Sequence, residues 1–160
     1  MKIEQAKKED ASQIAAIERI CFPQAEAASL DSITKRLEVF GNHFFVAKID
    51  DHMIGFINGM VTNHNTIEDE MYEDASLHRE DGFWQSIFGL DVLPEYRNHG
   101  YAAKLMEYMI RDAKENGRKG CILACKQHLV HYYEKIGYVC LGVSASTHGD
   151  TVWYDMRLEF

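Results

Sequence analysis

The sequence lacks the features of several large classes of protein. It contains no apolar run near the roughly 18 residues of a membrane-spanning helix, and no signal peptide is visible in its first residues, MKIEQAKKED. No repeat or linker interrupts it. We therefore expect a cytoplasmic protein with no membrane partner, built as a single domain over residues 1–160.

Basic residues are also few. Lysine and arginine total 17 against 25 acidic residues, so the formal net charge is −8. This sign opposes general nucleic-acid binding and favours cationic ligands. An acidic balance is nevertheless common among soluble proteins, so the charge argues against nucleic-acid binding without identifying a ligand.

The sequence has no spacing typical of a metal site. The four cysteines lie in apolar segments without a CxxC pair, at Cys21, Cys121, Cys125 and Cys140, and we expect reduced, buried thiols. None of the eight histidines forms HExxH, although His128 and His131 lie three residues apart and could share a helix face. A surface pair is the expectation, and no metal is predicted.

The chain has enough hydrophobic and aromatic residues to form a folded core. Hydrophobic residues make up 46% of the sequence and aromatic residues 11%, which excludes a disordered chain. Hydrophobic periodicity and turn residues predict strands over 1–6, 44–50, 53–62, 85–93, 120–125, 138–145 and 151–159, and helices over 10–21, 29–40, 101–116 and 129–135. The order β α α β β β α β α β β predicts a mixed α/β sheet with helices on its faces.

One stretch, residues 87–106, organises the rest. It turns from an apolar strand to a helix at Gly100, where the first main-chain N–H groups of the helix have no intrahelical partner. Such a junction favours a phosphate group. Gly100 has no side chain to obstruct a pyrophosphate, and Ala102 is small, so we predict a phosphate site for a large cofactor.

An acidic insert covers residues 63–82. A run of charges usually forms a solvated face. The alternative is a mouth that attracts a cationic substrate, and the sequence leaves both interpretations open.

Two motifs carry a family resemblance. The segment Arg97-x-x-Gly100-x-Ala102, followed about one strand later by Tyr133-x-x-x-Gly137-Tyr138, resembles the GCN5-related N-acetyltransferase (GNAT) superfamily. Within it, the insert ending in Leu77-His78-Arg79 and the run over residues 130–138 are similar to the serotonin (arylalkylamine) N-acetyltransferases.

The resemblance implies an α/β (α+β) fold: a mixed, mostly antiparallel sheet of about seven strands, with helices on both faces and splayed central strands. It implies an acyltransferase that uses acetyl-CoA and no metal. The acetyl group would pass to the amine of a small molecule, an aralkylamine or a polyamine, by direct attack in a ternary complex. The alternatives are a non-catalytic acyl-CoA-binding module and a protein or peptide N-acetyltransferase. Because dimers through the final strands are common in the superfamily, a homodimer also stays open.

The resemblance also implies which residues contact the cofactor. Pantetheine would fill the gap between the strands at 85–93 and 120–125, where main-chain groups of Leu90 and Val92 would pair with its amides. The pyrophosphate would lie on the amides from Asn98 to Ala102, with Arg97 at the entrance of the loop. The full set of expected cofactor contacts is Leu90, Asp91, Val92, Arg97, Asn98, His99, Gly100, Tyr101, Ala102 and Tyr133.

Acetyl transfer needs two further groups. An N–H aimed at the thioester oxygen would stabilise the charge of the tetrahedral transition state, and the Val92 amide is the candidate. A hydroxyl near the departing sulfur would protonate it, and Tyr133 stands at the general-acid position of the family. The neighbouring Tyr132 is expected to be the core residue of the two.

The sequence departs from the pattern at the general base. The arylalkylamine enzymes use two histidines on the strand before the cofactor loop, and here those positions hold Ser86 and Phe88. An asparagine that the wider superfamily often places before the tyrosine is replaced by Lys126. The candidates to replace the base are Asp91, His78, His131 and Glu70.

Overall fold

The computed structural model describes all residues, Met1–Phe160. The strands are β1 (Lys2–Gln5), β2 (Phe44–Ile49), β3 (His52–Asn58), β4 (Val61–Thr62), β5 (Trp84–Ile87), β6 (Gly89–Val92), β7 (Gly120–Cys125), β8 (Val139–Val143) and β9 (Tyr154–Glu159). The α-helices are α1 (Ala11–Cys21), α2 (Leu30–Phe40), α3 (Asp69–Glu73), α4 (Tyr101–Glu115) and α5 (Val130–Ile136).

The strands form two sheets. One has the order β1-β2-β3-β6, and the other has the order β4-β5-β7-β9-β8. Every pair is antiparallel except β5 and β7. The predicted mixed, mostly antiparallel architecture is therefore confirmed. The structure has nine strands where about seven were predicted, because the segments predicted as strands over 53–62 and 85–93 each break into two.

The two breaks face each other. The Ser86 amide donates to the Met60 carbonyl at 2.9 Å, and the Phe88 amide donates to the Asn58 carbonyl at 2.7 Å. The ladder thus continues while the chain passes from one sheet to the other at Phe88. On one side of this point β5 pairs with β7 up to Ile87 opposite Leu123, and on the other side β6 pairs with β3. β6 and β7 consequently diverge, which is the splay that the resemblance implied.

Alternating side chains of β2 pack in two separate hydrophobic cores. Phe44 and Val46 pack in the core of α1 and α2, whereas Phe45 and Ala47 pack in the core of α4. This is the two-residue period of a strand buried on both faces. The helices therefore cover both faces, as expected.

Local sequence accounts for several element boundaries. The Ser29 hydroxyl caps α2 by accepting the Ser32 amide at 3.1 Å, and the β2–β3 hairpin turns at Asp50 and Asp51, which both have positive φ. The short helix α3 inside the acidic insert was not predicted.

All four cysteines are free thiols, and Cys121 and Cys125 are buried. None of the helices combines the length and apolar character that crossing a bilayer would require.

Candidate functional site

The splay between β6 and β7 opens into a cavity of about 830 Å³. The α4 N-terminal loop forms one part of its wall. The α1–α2 connection, Tyr72 of α3 and the loop that holds His148 and Trp153 form another part. One space therefore joins the predicted phosphate loop to the strands and to the faces of α1 and α2.

The loop before α4 presents unpaired donors. Asn98 and Gly100 have positive φ, at 65° and 81°, and the main-chain N–H groups from Asn98 to Ala103 find no acceptor within the protein. A Cβ atom built on Gly100 would meet no atom within 4 Å. Successive unpaired N–H groups at a helix N-terminus bind anions, so the loop fits a pyrophosphate.

Arg97 ties this loop to β6. Its Nε donates to the Val92 carbonyl at 2.9 Å. His99 Nδ1 donates to the Arg97 carbonyl at 2.7 Å, and the His99 ring stacks on Tyr101. The Arg97 side chain thus fixes the loop to β6, and the His99 side chain fixes the loop to its own backbone.

The register of β6 decides which of its groups face the gap. The Leu93 amide donates to the Ile54 carbonyl, and hydrogen-bonded pairs alternate along an antiparallel ladder, so Asp91 is also paired with β3. The main-chain groups of Leu90 and Val92 consequently point toward the gap. The Val92 carbonyl already accepts a hydrogen bond from Arg97. The Val92 N–H is therefore the main-chain group of this residue that is left to bind a ligand in the gap.

Tyr133 lies on the cavity wall with Leu123 and Cys125. It is 8% exposed, its hydroxyl makes no hydrogen bond within the protein, and burial raises its pKa above the ordinary value. The hydroxyl is therefore protonated at neutral pH and free to donate. The expectation that Tyr132 is the core residue is wrong: Tyr132 is 36% exposed, because α5 turns its Tyr133 face to the core.

Two buried carboxyl groups lie on the α1 side of β6. Asp91 is 1% exposed and Glu18 is 7% exposed, and both line the cavity. Burial and the adjacent Glu18 raise the pKa of Asp91 well above its ordinary value. Asp91 is thus the one candidate general base that the structure brings to the cavity.

A buried arginine shares this wall. Arg36 donates through Nη1 to Asn58 Oδ1 at 3.2 Å and through Nη2 to the Tyr72 carbonyl at 2.9 Å, while its Nε has no partner. Its guanidinium carbon lies 5.0 Å from the centre of the Phe88 ring.

The sequence interpretation missed Glu18 and Arg36. A signal was present, because each lies beside the apolar stripe of its predicted helix. Glu18 lies four residues after Ile14, and Arg36 lies three residues after Ile33, so each is on the apolar side of its helix. A charged residue on the buried face of an amphipathic helix needs a partner or a function.

The two positions that replace the histidines behave differently. The Ser86 hydroxyl donates to the Met60 carbonyl at 2.6 Å and does not line the cavity, whereas Phe88 lines it and contacts Tyr72. Lys126 pairs with Glu26 at 3.0 Å. The other candidate bases lie outside the cavity: His78 is bound to Glu80, and His131 and Glu70 are exposed.

Two of the cavity walls are joined by hydrogen bonds. His148 Nε2 donates to the Glu26 carbonyl at 3.1 Å and its ring stacks on Tyr72. The carboxylate of Asp69 accepts from the Ser146 hydroxyl and the Thr147 amide. The α1–α2 connection, α3 and the β8–β9 loop thereby form one continuous roof.

The acidic insert is largely paired within the protein. Asp69 holds the β8–β9 loop, and Glu80 accepts from His43, His78, Asn42 and Arg118. Glu73 is the acid of the insert that lines the cavity. The interpretation as a purely solvated face is therefore too simple.

His43, His78 and Glu80 bring three potential metal ligands within 4.8 Å of one another. The Val61 amide, however, donates to His78 Nδ1 at 3.0 Å, so the ring proton is on Nε2 and points at Glu80. Nε2 then offers no lone pair to an ion. The cluster is a hydrogen-bonded network between the insert and the core.

Comparisons with known proteins agree with this architecture. The model of the acetyltransferase (GNAT) family matches residues 11–138. Among curated proteins, none matches the sequence.

Solved structures share the fold at low identity. The GNAT-like decarboxylase GphF, in complex with isobutyryl-CoA, is 17% identical over 99% of each chain, with a TM-score of 0.85. The loading GNATL domain of CurA from Lyngbya majuscula is 15% identical over 99% of this chain and 96% of that one, with a TM-score of 0.83. A GNAT family acetyltransferase from Brucella melitensis, in complex with acetyl-CoA, is 16% identical over 99% and 87%, with a TM-score of 0.64. These likenesses confirm the fold and do not support the arylalkylamine branch.

Proposed function

Because the chain belongs to the acetyltransferase (GNAT) family, we propose that it transfers the acetyl group of acetyl-coenzyme A to the amine of a small molecule. One observation carries this proposal. A single cavity joins the unpaired N–H groups before α4, the gap between β6 and β7, the Tyr133 hydroxyl and the carboxyl pair Glu18–Asp91.

The cofactor contacts follow from this geometry. The N–H groups of Asn98 to Ala102 would hold the pyrophosphate, with Arg97 beside them. The pantetheine would lie along Leu90 to Val92, where main-chain groups face the gap. The matching donors and the open space at Gly100 support this assignment.

The reaction would use two groups near the sulfur. The Val92 N–H would stabilise the negative charge on the thioester oxygen during attack, since an aimed main-chain donor is worth more in a site that excludes water. Tyr133, whose hydroxyl is protonated and unpaired, would donate its proton to the departing thiolate.

The acceptor would be a small cationic amine. The Glu18–Asp91 pair supplies negative charge, and Tyr72, Phe88 and Trp153 supply aromatic surface for the rest of the molecule. An aralkylamine would use the aromatic faces, and a polyamine would use the carboxylates more. The roof over the cavity, with its bonds from His148 and Asp69, favours a small molecule over a peptide chain, which needs a groove open at both ends.

An amine panel tests the proposal against its alternatives. Purified protein with acetyl-CoA and aralkylamines or polyamines is expected to release free thiol. Acetylation of peptides alone would move the assignment to a protein N-acetyltransferase. Binding of CoA without thiol release with any acceptor would indicate a non-catalytic acyl-CoA-binding module.

A second candidate function rests on Arg36. Two of the similar structures are a GNAT-like decarboxylase and a GNATL loading domain, and a buried guanidinium with a free Nε suits the carboxylate of a malonyl-type thioester. Decarboxylation would break the bond between the carboxylate carbon and the α-carbon, release CO₂, and place a proton on the α-carbon. Conversion of malonyl-CoA to acetyl-CoA without any amine would favour this activity.

We also propose that β8 mediates a homodimer. It is the edge strand of its sheet, and Val139, Leu141 and Val143 expose apolar side chains, Val143 to 67%. An exposed apolar edge strand favours pairing with a second copy. Sedimentation is expected to give a dimer for the wild type and a monomer for Val143→Lys.

A further inference from the structure

Glu18 on α1 and Asp91 on β6 meet beneath the cavity. A Cβ atom built on Gly89 would lie 3.0 Å from Asp91 Oδ1 and 3.7 Å from Glu18 Oε1, so the two oxygens converge on the same point of the chain. Neither belongs to the motifs that identify the family.

The pair lacks donors from the protein. Both Asp91 oxygens are enclosed and accept no hydrogen bond from any protein donor. Glu18 Oε2 accepts the Ala28 amide at 2.9 Å, and its Oε1 accepts nothing. Two adjacent carboxyl groups in this position share a proton, because two buried negative charges would repel each other. Burial and the adjacent Glu18 raise the pKa of Asp91, so the pair together holds one proton and presents one negative charge to the cavity.

The other charged groups nearby do not neutralise Glu18 by direct contact. Arg36 of α2 is the cation facing the pair, yet it directs Nη1 and Nη2 to Asn58 and Tyr72. Cys21 of α1 donates to the Val92 carbonyl, and Arg97 donates to that same carbonyl. The Glu18 carboxylate is thus left with room for an ionic partner from outside the protein.

We propose that the Glu18–Asp91 pair binds the ammonium group of the acceptor and removes one of its protons before attack. This inference rests on the proposed acetyl transfer to an amine. Glu18 is the catalytic residue, since it faces the ligand. Asp91 is a positioning residue, because it acts through the proton that it shares with Glu18.

The step balances. An N–H bond of the ammonium breaks, its proton forms an O–H bond on Glu18, and the freed lone pair attacks the thioester carbon. The C–N bond forms, the C–S bond breaks, and the thiolate takes a proton from Tyr133, which regains one from the acetylated nitrogen. The proton on Glu18 returns to water. Because Glu18 is buried to within 7% exposure, removing two opposite charges by proton transfer lowers the desolvation cost of the pair, which favours the first transfer.

Two acceptors of different basicity test the proposal. An alkylamine is protonated at neutral pH, whereas methoxyamine is already neutral. Glu18→Gln is expected to lower kcat/KM at least about 100-fold for the alkylamine, the range of a general base, and less than about fivefold for methoxyamine. The matched control is Glu38→Gln, which removes an exposed carboxylate from α2 and is expected to leave both values unchanged.

Asp91 is tested by a pH profile. As Asp91 loses its proton at rising pH, the pair gains a second negative charge, so KM for the alkylammonium falls. Asp91→Asn keeps a donor to Glu18 but cannot ionise, and this fall is expected to disappear.

The possible results distinguish a wrong role for Glu18 from a wrong assignment of acetyl transfer. If the wild type acetylates amines but Glu18→Gln slows both acceptors equally, with CoA affinity and thermal unfolding unchanged, the inference is wrong and the proposed function stands. If the wild type acetylates neither acceptor, the proposed function itself is wrong.

Discussion

Gly100 and Gly117 stand at the two ends of α4 in the same backbone conformation. Their φ angles are 81° and 73°, and a Cβ atom on either would meet nothing within 4 Å. They differ in the hydrogen bonding of their main-chain amides. Gly100 lies within a run of unpaired N–H donors, whereas the Gly117 amide donates to the Lys114 carbonyl at 3.0 Å.

Substitutions at these two glycines distinguish effects on folding from effects on cofactor binding. Alanine at either glycine is expected to lower the free energy of unfolding by about 1–2 kcal/mol, the cost of a left-handed conformation for an L residue. Glutamate at Gly100 is expected to weaken CoA binding at least about tenfold, or 1.4 kcal/mol, because it places an anion where pyrophosphate would lie. Glutamate at Gly117 is expected to leave the affinity for CoA unchanged. Calorimetric titration with CoA measures both, and equal affinities in the two folded variants would contradict the phosphate assignment.

Tyr133→Phe tests the general acid. The variant removes a hydroxyl that bonds to nothing in the protein, so the fold is expected to be unaffected. Its kcat for thiol release is expected to fall about 100-fold, within the range for a lost general acid, while CoA affinity stays the same.

The control is Tyr138→Phe. The buried Tyr138 hydroxyl contacts Met106 Sδ at 3.5 Å, and Tyr138 does not line the cavity. It should leave kcat as in the wild type. A Tyr133→Phe enzyme that retains full turnover would remove Tyr133 from the mechanism.

Asp91 is expected to make the protein less stable as pH rises. Burial and Glu18 raise its pKa in the folded state above the value of about 3.9 in an unfolded chain. The folded state therefore binds more protons than the unfolded state above pH 4. Its contribution to stability is fully present below that pH and is lost as pH rises through the folded pKa.

Urea unfolding across pH 4–9 measures this effect. Asp91→Asn is expected to flatten the dependence and to be more stable than the wild type at the alkaline end. Asp81→Asn, at an exposed position of the insert, is expected to keep the wild-type slope. A wild-type slope in Asp91→Asn would show that Asp91 ionises normally.

Glu80 is expected to stabilise the insert against the core. Partial burial by itself raises its pKa, but hydrogen bonds from His43, His78 and Asn42 outweigh this and lower it to about 2. The stabilisation is present above the ordinary value near 4.5 and is lost as pH falls toward 2.

Glu80→Gln at neutral pH is expected to cost about 0.5–1.5 kcal/mol of unfolding free energy, since the half-exposed side chain keeps an acceptor oxygen for His43 and Arg118 but loses its charge. Thermal or urea unfolding measures the loss. Glu115→Gln, an exposed glutamate of α4, is the control and should unfold like the wild type.

Local rules predicted much of the fold. Ser29 predicted the start of α2, Gly117 predicted the end of α4, and the Asp50–Asp51 turn predicted a hairpin, because caps and turns depend on a few neighbouring residues. The break of one predicted strand at Phe88 was not predictable in this way. It depends on two different partners, β7 for one half and β3 for the other.

The residues of the candidate site also fall into two groups, those that local sequence predicts and those that only the packing of distant elements brings together. Gly100 and Tyr133 were recognisable because each lies within a short motif whose spacing is local. Glu18, Arg36 and Asp91 come from two helices and a strand, and only their packing shows that a carboxyl pair and an arginine share one wall. Asp91 is one of four candidate bases in the sequence, and the structure alone shows that it lies at the cavity and is paired there with Glu18.

The sequence by itself determined the order of elements, the phosphate loop and the family, since these depend on periodicity and on residues close together in the chain. The tertiary structure decided where β6 and β7 separate, which main-chain groups face the gap, and which acids meet at the acceptor end. The physical reason is that hydrogen-bond register and the desolvation of a charged side chain depend on neighbours distant in sequence. The environment of Glu18 and Asp91 exists only once α1 has packed against β6.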